Sequence, residues 1–131
     1  MLEVKIKKLH KDAVIPKYET VGSAGMDLTA VSKEYDDYGN ICYDTGLAFE
    51  IPEGFVGLIF PRSSLSKKEL MLTNSVGVID ADYRGSVSFK FKSTIFDTKL
   101  MTYEYGYSEY EVGERVGQII IVPYPKVSFV E

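Results

Sequence analysis

The chain has 131 residues, 45% hydrophobic and 26% charged, with a net charge of −4 and a pI near 5.1. That length predicts one domain, 1–131, with a buried core. The acidic balance gives no electrostatic footprint for a nucleic-acid backbone, and no nucleic-acid partner is expected. Cys42 is the one cysteine, so no intrachain disulfide forms and a reducing cytoplasm is expected. No run of 18 apolar residues exists to span a membrane. The amino terminus lacks the apolar core of a signal peptide.

In chain order the signals are mostly for strands. Leu2, Val4 and Ile6 alternate with Glu3, Lys5 and Lys7, as in a half-buried edge strand. Met26–Val31 is a second short strand. Ile41–Ile51, broken by Gly46, reads as strand, turn, strand. Phe55–Phe60 is an apolar run after the turn Pro52-Glu-Gly54. Ser64–Leu72 alone reads as helical, with Leu65, Leu70 and Leu72 apolar. Val76–Ile79 and Ser86–Lys92 read as the arms of a hairpin with an acidic tip. Ile95–Tyr110 reads as a further hairpin or extended pair, and Gly117–Tyr124 as a late apolar strand. Short strands with Gly and Pro turns make the chain all-β, a sandwich or a barrel.

Four segments carry chemistry. Gly77-Val-Ile-Asp-Ala-Asp-Tyr-Arg-Gly85, with Asn74 just upstream, combines an amide, a carboxylate and a ring. Those are the parts needed to read a base edge, activate a water and stack on a sugar. Asp80 in a turn also has a plainer reading, as local hydrogen bonding, and Tyr83 as a half-exposed strand tyrosine. Asp82 is read as shaping the turn or pairing with Arg84. Pro61-Arg-Ser-Ser-Leu-Ser66 opens the predicted helix. There Arg62, Ser63 and Ser64 present donors to an anion, although a capping serine is the plainer reading. In Ala24-Gly-Met-Asp-Leu28 the plainer reading of Asp27 is a turn aspartate after Gly25, and in Gly113-Glu-Arg-Val-Gly-Gln118 that of Gln118 is a strand-edge glutamine. His10 and Cys42 match no ligand cluster.

Together, in this order, the four segments resemble the first four motifs of the trimeric dUTPases (dUTP diphosphatases), over about Ser23–Val122. The resemblance implies a distorted jelly-roll or β-clip sandwich with one short helix, assembled as a homotrimer with shared active sites in the cytoplasm, or in a host cytoplasm for a viral protein. It implies that dUTP is hydrolysed to dUMP and pyrophosphate with Mg²⁺. By it, Asp80 orients the attacking water, and Arg62, Ser63 and Ser64 grip the triphosphate. Asn74 reads the uracil edge, and Tyr83 lies on the sugar. Backbone around Gly77, Val78 and Ile79 packs too closely for a thymine methyl. Ser88 and Gln118 complete the substrate contacts, and Asp27 holds Mg²⁺ through a water. Arg115 is read as a phosphate-motif residue or an intersubunit ion-pair partner.

Two positions depart from the family pattern. Ser64 stands where many members have glycine, and Gly117 where alanine is more frequent, a mild change. The family's glycine-rich C-terminal arm would begin at Pro123-Tyr-Pro-Lys-Val-Ser-Phe-Val-Glu131, so a domain without that arm is expected. Two other readings share the fold. A dCTP deaminase would need a glutamate where Lys90 stands. A catalytically weak trimer would serve as a binding or regulatory protein.

Overall fold

The computed structural model describes residues 1–106 and 108–131. Its strands are β1 (Lys5–Lys8), β2 (Met26–Thr29), β3 (Ser32–Tyr35), β4 (Ile41–Asp44), β5 (Leu47–Glu50) and β6 (Phe55–Phe60). A single-turn 3-10 helix, Ser63–Lys67, separates these from β7 (Leu70–Leu72), β8 (Gly77–Ile79), β9 (Ser88–Ser93), β10 (Phe96–Asp97), β11 (Thr102–Tyr103) and β12 (Arg115–Pro123). All strand pairings are antiparallel.

Two four-stranded sheets, ordered β2-β12-β6-β8 and β3-β4-β9-β7, carry the architecture. Two small ribbons, β1-β5 and β10-β11, flank them. The fold is an all-β jelly-roll sandwich. Its core forms because strand periodicity puts alternate residues on one face. Phe89 and Phe91 of β9 point inward while Ser88 and Lys90 face out. Tyr43 and Ile41 of β4, Leu28 of β2 and Ile119 of β12 are fully buried with them. The segment Val116–Val122, apolar apart from Gln118, becomes a central strand, paired on one side with β2 and on the other with β6.

Four sequence expectations need correction. First, the predicted helix over Ser64–Leu72 is helical only to Lys67, and Leu70–Leu72 is a strand. Leu70 and Leu72 are buried with Met71 exposed between them, a period of two. Leu72 lies opposite Phe91 on β9. Second, neither Ser63 nor Ser64 caps the helix: Arg62 is the N-cap residue, with no side-chain cap bond.

Third, the acidic segment is not the tip of a paired hairpin. β8 pairs with β6, whereas β9 pairs with β4 and β7. Residues 80–87 therefore cross between the sheets. Strand β9 is captured at its start by the β4–β5 corner. There Val87 N–H donates to the Leu47 carbonyl (2.9 Å), and the Val87 carbonyl accepts from Thr45 N–H (3.1 Å) and the Thr45 hydroxyl (2.6 Å). Fourth, the first strand begins only at Lys5 and pairs with β5, and the polar strand Ser32–Tyr35 was not anticipated. Within Ile95–Tyr110, β10 and β11 form the expected hairpin, and Tyr107 lies outside the described residues.

Gly117 is not interchangeable with alanine here. A methyl group on its Cα would overlap the ring of Phe89, which is fully buried. A register shift between β12 and β2 falls at the same place. Overpacking of this kind costs about 1–3 kcal/mol. Gly117→Ala should therefore lower the denaturant midpoint with an unchanged slope, and an unaltered midpoint would show that the ring has room to move.

Candidate functional site

The residues singled out by motif fall into two separate clusters. The first is built on β2, β12 and the loop that follows β6. Gln118 lies opposite Asp27 on one side of β12 and opposite Phe60 on the other. That register brings Pro61 and Arg62 alongside. Arg62 Nε donates to Asp27 Oδ1 at 3.0 Å, and Arg62 Nη1 donates to Ser64 Oγ at 3.3 Å. Arg115 Nη1 reaches Asp27 Oδ2 at 3.4 Å. Gln118 Nε2 donates to the Pro61 carbonyl at 2.9 Å. Gln118 Oε1 sits so close to Gly25 that any side chain there would displace it.

Two guanidiniums thus face one carboxylate, a locally positive spot on a chain of charge −4. Arg62, Ser63 and Gln118 line a concavity of about 510 Å³ beside it. The donors are side chains and loop backbone, since a one-turn helix has little dipole. Arg115 is the member whose place the motifs left open. Its signal was its position on β12, opposite Thr29 and three residues before Gln118.

The second cluster is built on β8. Asn74 sits exposed in the turn before it, where Ser75 adopts a left-handed φ of 63°. A side chain on Gly77 would overlap Ile59 and would lie 3.6 Å from Asn74 Nδ2. Val78 is 61% exposed and Ile79 is buried, as strand alternation requires. Asp80 follows directly and is exposed. Its carboxylate has no hydrogen bond or ion pair among the described residues, in contrast to the doubly held Asp27.

Val78, Asp80, Ala81 and Arg84 line a groove of about 1320 Å³ whose floor includes Val56 and Leu58. Tyr83 is 43% exposed, and its hydroxyl donates to the Ser86 carbonyl at 2.9 Å. Arg84 turns to the Ala81 carbonyl and to Glu50 (3.7 Å), not to Asp82. Ser88 lines neither concavity and lies opposite Asp44 on the other sheet.

The two clusters do not meet within one chain. Ile79 pairs with Gly57 and Gln118 pairs with Phe60. Asp80 is therefore about four positions along β6 and two strands across from Gln118, roughly 15 Å away. Arg62 lies farther still along the same direction.

Among the described residues no group of three His, Cys, Asp or Glu side chains could cage a metal. Mg²⁺ needs no such cage, because it keeps several waters and shares phosphate oxygens. Asp27, with both oxygens already accepting from arginines, fits a contact through a bound water. Cys42 is half-buried beside Asp36, and His10 closes a turn with Asp12.

The fold class is an all-β jelly-roll sandwich. Within it, a model of the dUTPase family matches residues 11–131, and the chain belongs to the dUTPase family. Deoxyuridine 5'-triphosphate nucleotidohydrolase of Hydrogenobaculum sp. (strain Y04AAS1) is 37% identical over 99% of this chain and 86% of its own length. The enzyme of that name from Escherichia phage T5 is 37% identical over 92% of this chain and 80% of its own.

Among solved structures, the Staphylococcus bacteriophage 80alpha dUTPase superposes with a TM-score of 0.78 at 28% identity, covering 98% of this chain and 96% of that one. A mutant of the same dUTPase was solved with dUpNHpp, with a TM-score of 0.77 at 28% identity over 100% of this chain and 89% of that one. A mutant dUTPase from phage phi11 of S. aureus coordinates a structural Mg(II) ion, with a TM-score of 0.74 at 25% identity over 99% of this chain and 97% of that one.

Proposed function

We propose that this chain, one domain over residues 1–131, hydrolyses dUTP to dUMP and pyrophosphate. The observation that carries the reading is the contrast between its two motif aspartates. Asp27 is locked between Arg62 and Arg115, whereas Asp80 is exposed and free of intrachain partners among the described residues. A free carboxylate can accept a proton from water, and a locked one can only organise cations.

Asp80 holds a water in line with the α-phosphorus and takes its proton as the new P–O bond forms. The bond from the α-phosphorus to the bridging oxygen breaks, and pyrophosphate leaves. Arg62, Ser63 and Ser64 hold the phosphate oxygens through charge-assisted and hydroxyl donors. Gln118 directs its amide to the α-phosphate or the attacking water. Asp27 would hold Mg²⁺ through a bound water, and the ion would supply charge neutralisation at the triphosphate oxygens.

Asn74 presents an acceptor and two donors to the uracil edge. Cytosine reverses that pattern and would leave buried groups unpaired. The exposed ring of Tyr83 lies against deoxyribose. The backbone at Gly77–Ile79, with Gly77 lacking a side chain, packs against C5 of the base.

Pyrophosphate release measured in parallel on dUTP, dCTP, dTTP and UTP with Mg²⁺ tests the reading. Turnover confined to dUTP is expected. Comparable dCTP turnover with ammonia release would instead indicate a deaminase. That outcome runs against Lys90 of β9, whose ammonium lies 3.8 Å from Asp36 at the end of β3 in the same sheet.

Because the Asp80 groove and the Arg62 cluster stand apart, we place each active site between subunits of a homotrimer. One subunit supplies Asn74, Asp80 and Tyr83, and its neighbour supplies Asp27, Arg62, Ser64 and Gln118. Light scattering should give three times the monomer mass, and an active monomer would contradict it. No helix of the described residues is long and apolar enough to cross a membrane. We place the reaction in the cytoplasm, where the free thiol of Cys42 stays reduced.

A further inference from the structure

Beneath the phosphate loop lies a tyrosine that no motif assigned. Tyr110 is 2% exposed, and its hydroxyl is buried without a hydrogen-bond partner among the described residues. Nearly all buried polar groups are paired, so an orphan of this kind calls for a reason.

The ring cannot swing to find a partner. It packs edge-on against Tyr43 (6.0 Å between centroids) and tilted on Phe91 (5.6 Å). The Lys68 ammonium sits over it at 4.8 Å. The backbone is pinned as well. The Tyr110 carbonyl accepts from the Tyr43 hydroxyl at 2.8 Å. The buried carboxylate of the preceding residue, Glu109, is held by Lys33 at 3.1 Å and by the Tyr35 hydroxyl at 2.6 Å. Burial raises the phenol's pKa; the Ser64 hydroxyl, close by but short of full hydrogen-bond geometry, and the Arg62 guanidinium pull it down, and the Glu114 carboxylate adds to the rise. Ser64 and Arg62 are the polar groups it faces from the phosphate loop.

We propose that Tyr110 is a positioning residue for phosphate recognition, donating its hydroxyl hydrogen to Ser64 Oγ when the loop settles on the triphosphate. A serine oxygen has two acceptor positions and one proton. Arg62 Nη1 already occupies one of the acceptor positions at 3.3 Å. With Tyr110 in the other, the only free direction for the Ser64 proton is outward, toward a phosphate oxygen. The rotor is thereby fixed in the donor orientation as the loop settles on the triphosphate. The device requires a hydroxyl at position 64.

This inference rests on the proposed dUTP site, and its test separates the two. Wild type, Tyr110→Phe, Ser64→Ala and the double variant are compared by thermal unfolding without ligand and by affinity for dUpNHpp and for dUMP. Wild type that neither binds dUpNHpp nor turns over dUTP would sink the functional reading itself.

With that binding intact, Tyr110→Phe should unfold no earlier than wild type, because it removes an unpaired buried hydroxyl. It should bind dUpNHpp roughly 3- to 10-fold more weakly, the value of one net hydrogen bond. Affinity for dUMP, which lacks the outer phosphates, should not change. In the Ser64→Ala background the tyrosine substitution should have no further effect.

Three results would overturn the proposal. One is earlier unfolding of Tyr110→Phe with unchanged dUpNHpp affinity, as for a tyrosine bonded to a buried water. Another is an equal loss on dUMP. The third is additivity with Ser64→Ala.

Discussion

Asp80→Asn should leave the fold and nucleotide affinity intact and abolish nearly all turnover. The amide keeps the shape of the carboxylate at the end of β8 but loses the charge that orients water and accepts its proton. Positioned general-base catalysis contributes about 10²–10⁴-fold, so kcat should fall by that factor while KM stays near wild type. The exposed side chain has no intrachain partner among the described residues, so no structural contact is lost and thermal stability should not move. A variant that retains kcat within about threefold of wild type would show that another group activates the water.

Arg62→Ala should be comparably severe, for a different reason. Arg62 is the hub of the first cluster, bonded to Asp27 through Nε and to Ser64 through Nη1. Its loss removes a cation from the phosphates and leaves Asp27 with Arg115 at 3.4 Å as its remaining charged partner. Removing one preorganised donor to developing charge typically costs about 10²–10³-fold, and here kcat/KM should fall by at least that. Arg62→Lys should rescue little, because an ammonium cannot serve Asp27 and Ser64 as a two-nitrogen fork. Rescue of kcat/KM by lysine to within about tenfold of wild type would reduce Arg62 to a simple point charge.

Much of this site was legible because its residues are local in sequence. Asp80, Tyr83 and Asn74 lie within ten positions of one another, and the Arg62-Ser63-Ser64 run is contiguous. Strands with strict alternation, such as Phe89 and Phe91 in β9, or an unbroken apolar run, as in β6, were equally plain. The hidden features depend on partners far away in the chain. Nothing near Ser86–Lys92 reveals that its partners are β4 and β7 rather than Val76–Ile79, because pairing is decided by Thr45 and Leu47.

Leu65 and Leu72 are seven apart, as on one helix face, whereas Leu70 and Leu72 are two apart, as in a strand, and pairing of β7 with β9 decides for the strand. β3 escaped notice because its polar residues are satisfied by Glu109 and Glu111, more than 70 positions later. Gly117 looked exchangeable until Phe89 came to rest against it. The orphan hydroxyl of Tyr110 has no sequence signature at all.

We propose that one chain carries two half-sites that become an enzyme only across a subunit boundary, and complementation between differently substituted chains tests this. Asp80→Asn and Arg62→Ala chains, each with its own affinity tag, are produced together, and trimers retaining both tags are isolated. Each parent is inactive by itself. Any mixed closed ring of three has a single interface that joins the intact Asp80 of one subunit to the intact Arg62 of its neighbour, so roughly a third of wild-type dUTP turnover should return. Mixed trimers as inactive as their parents would place Asp80 and Arg62 in the same subunit's site and contradict the account.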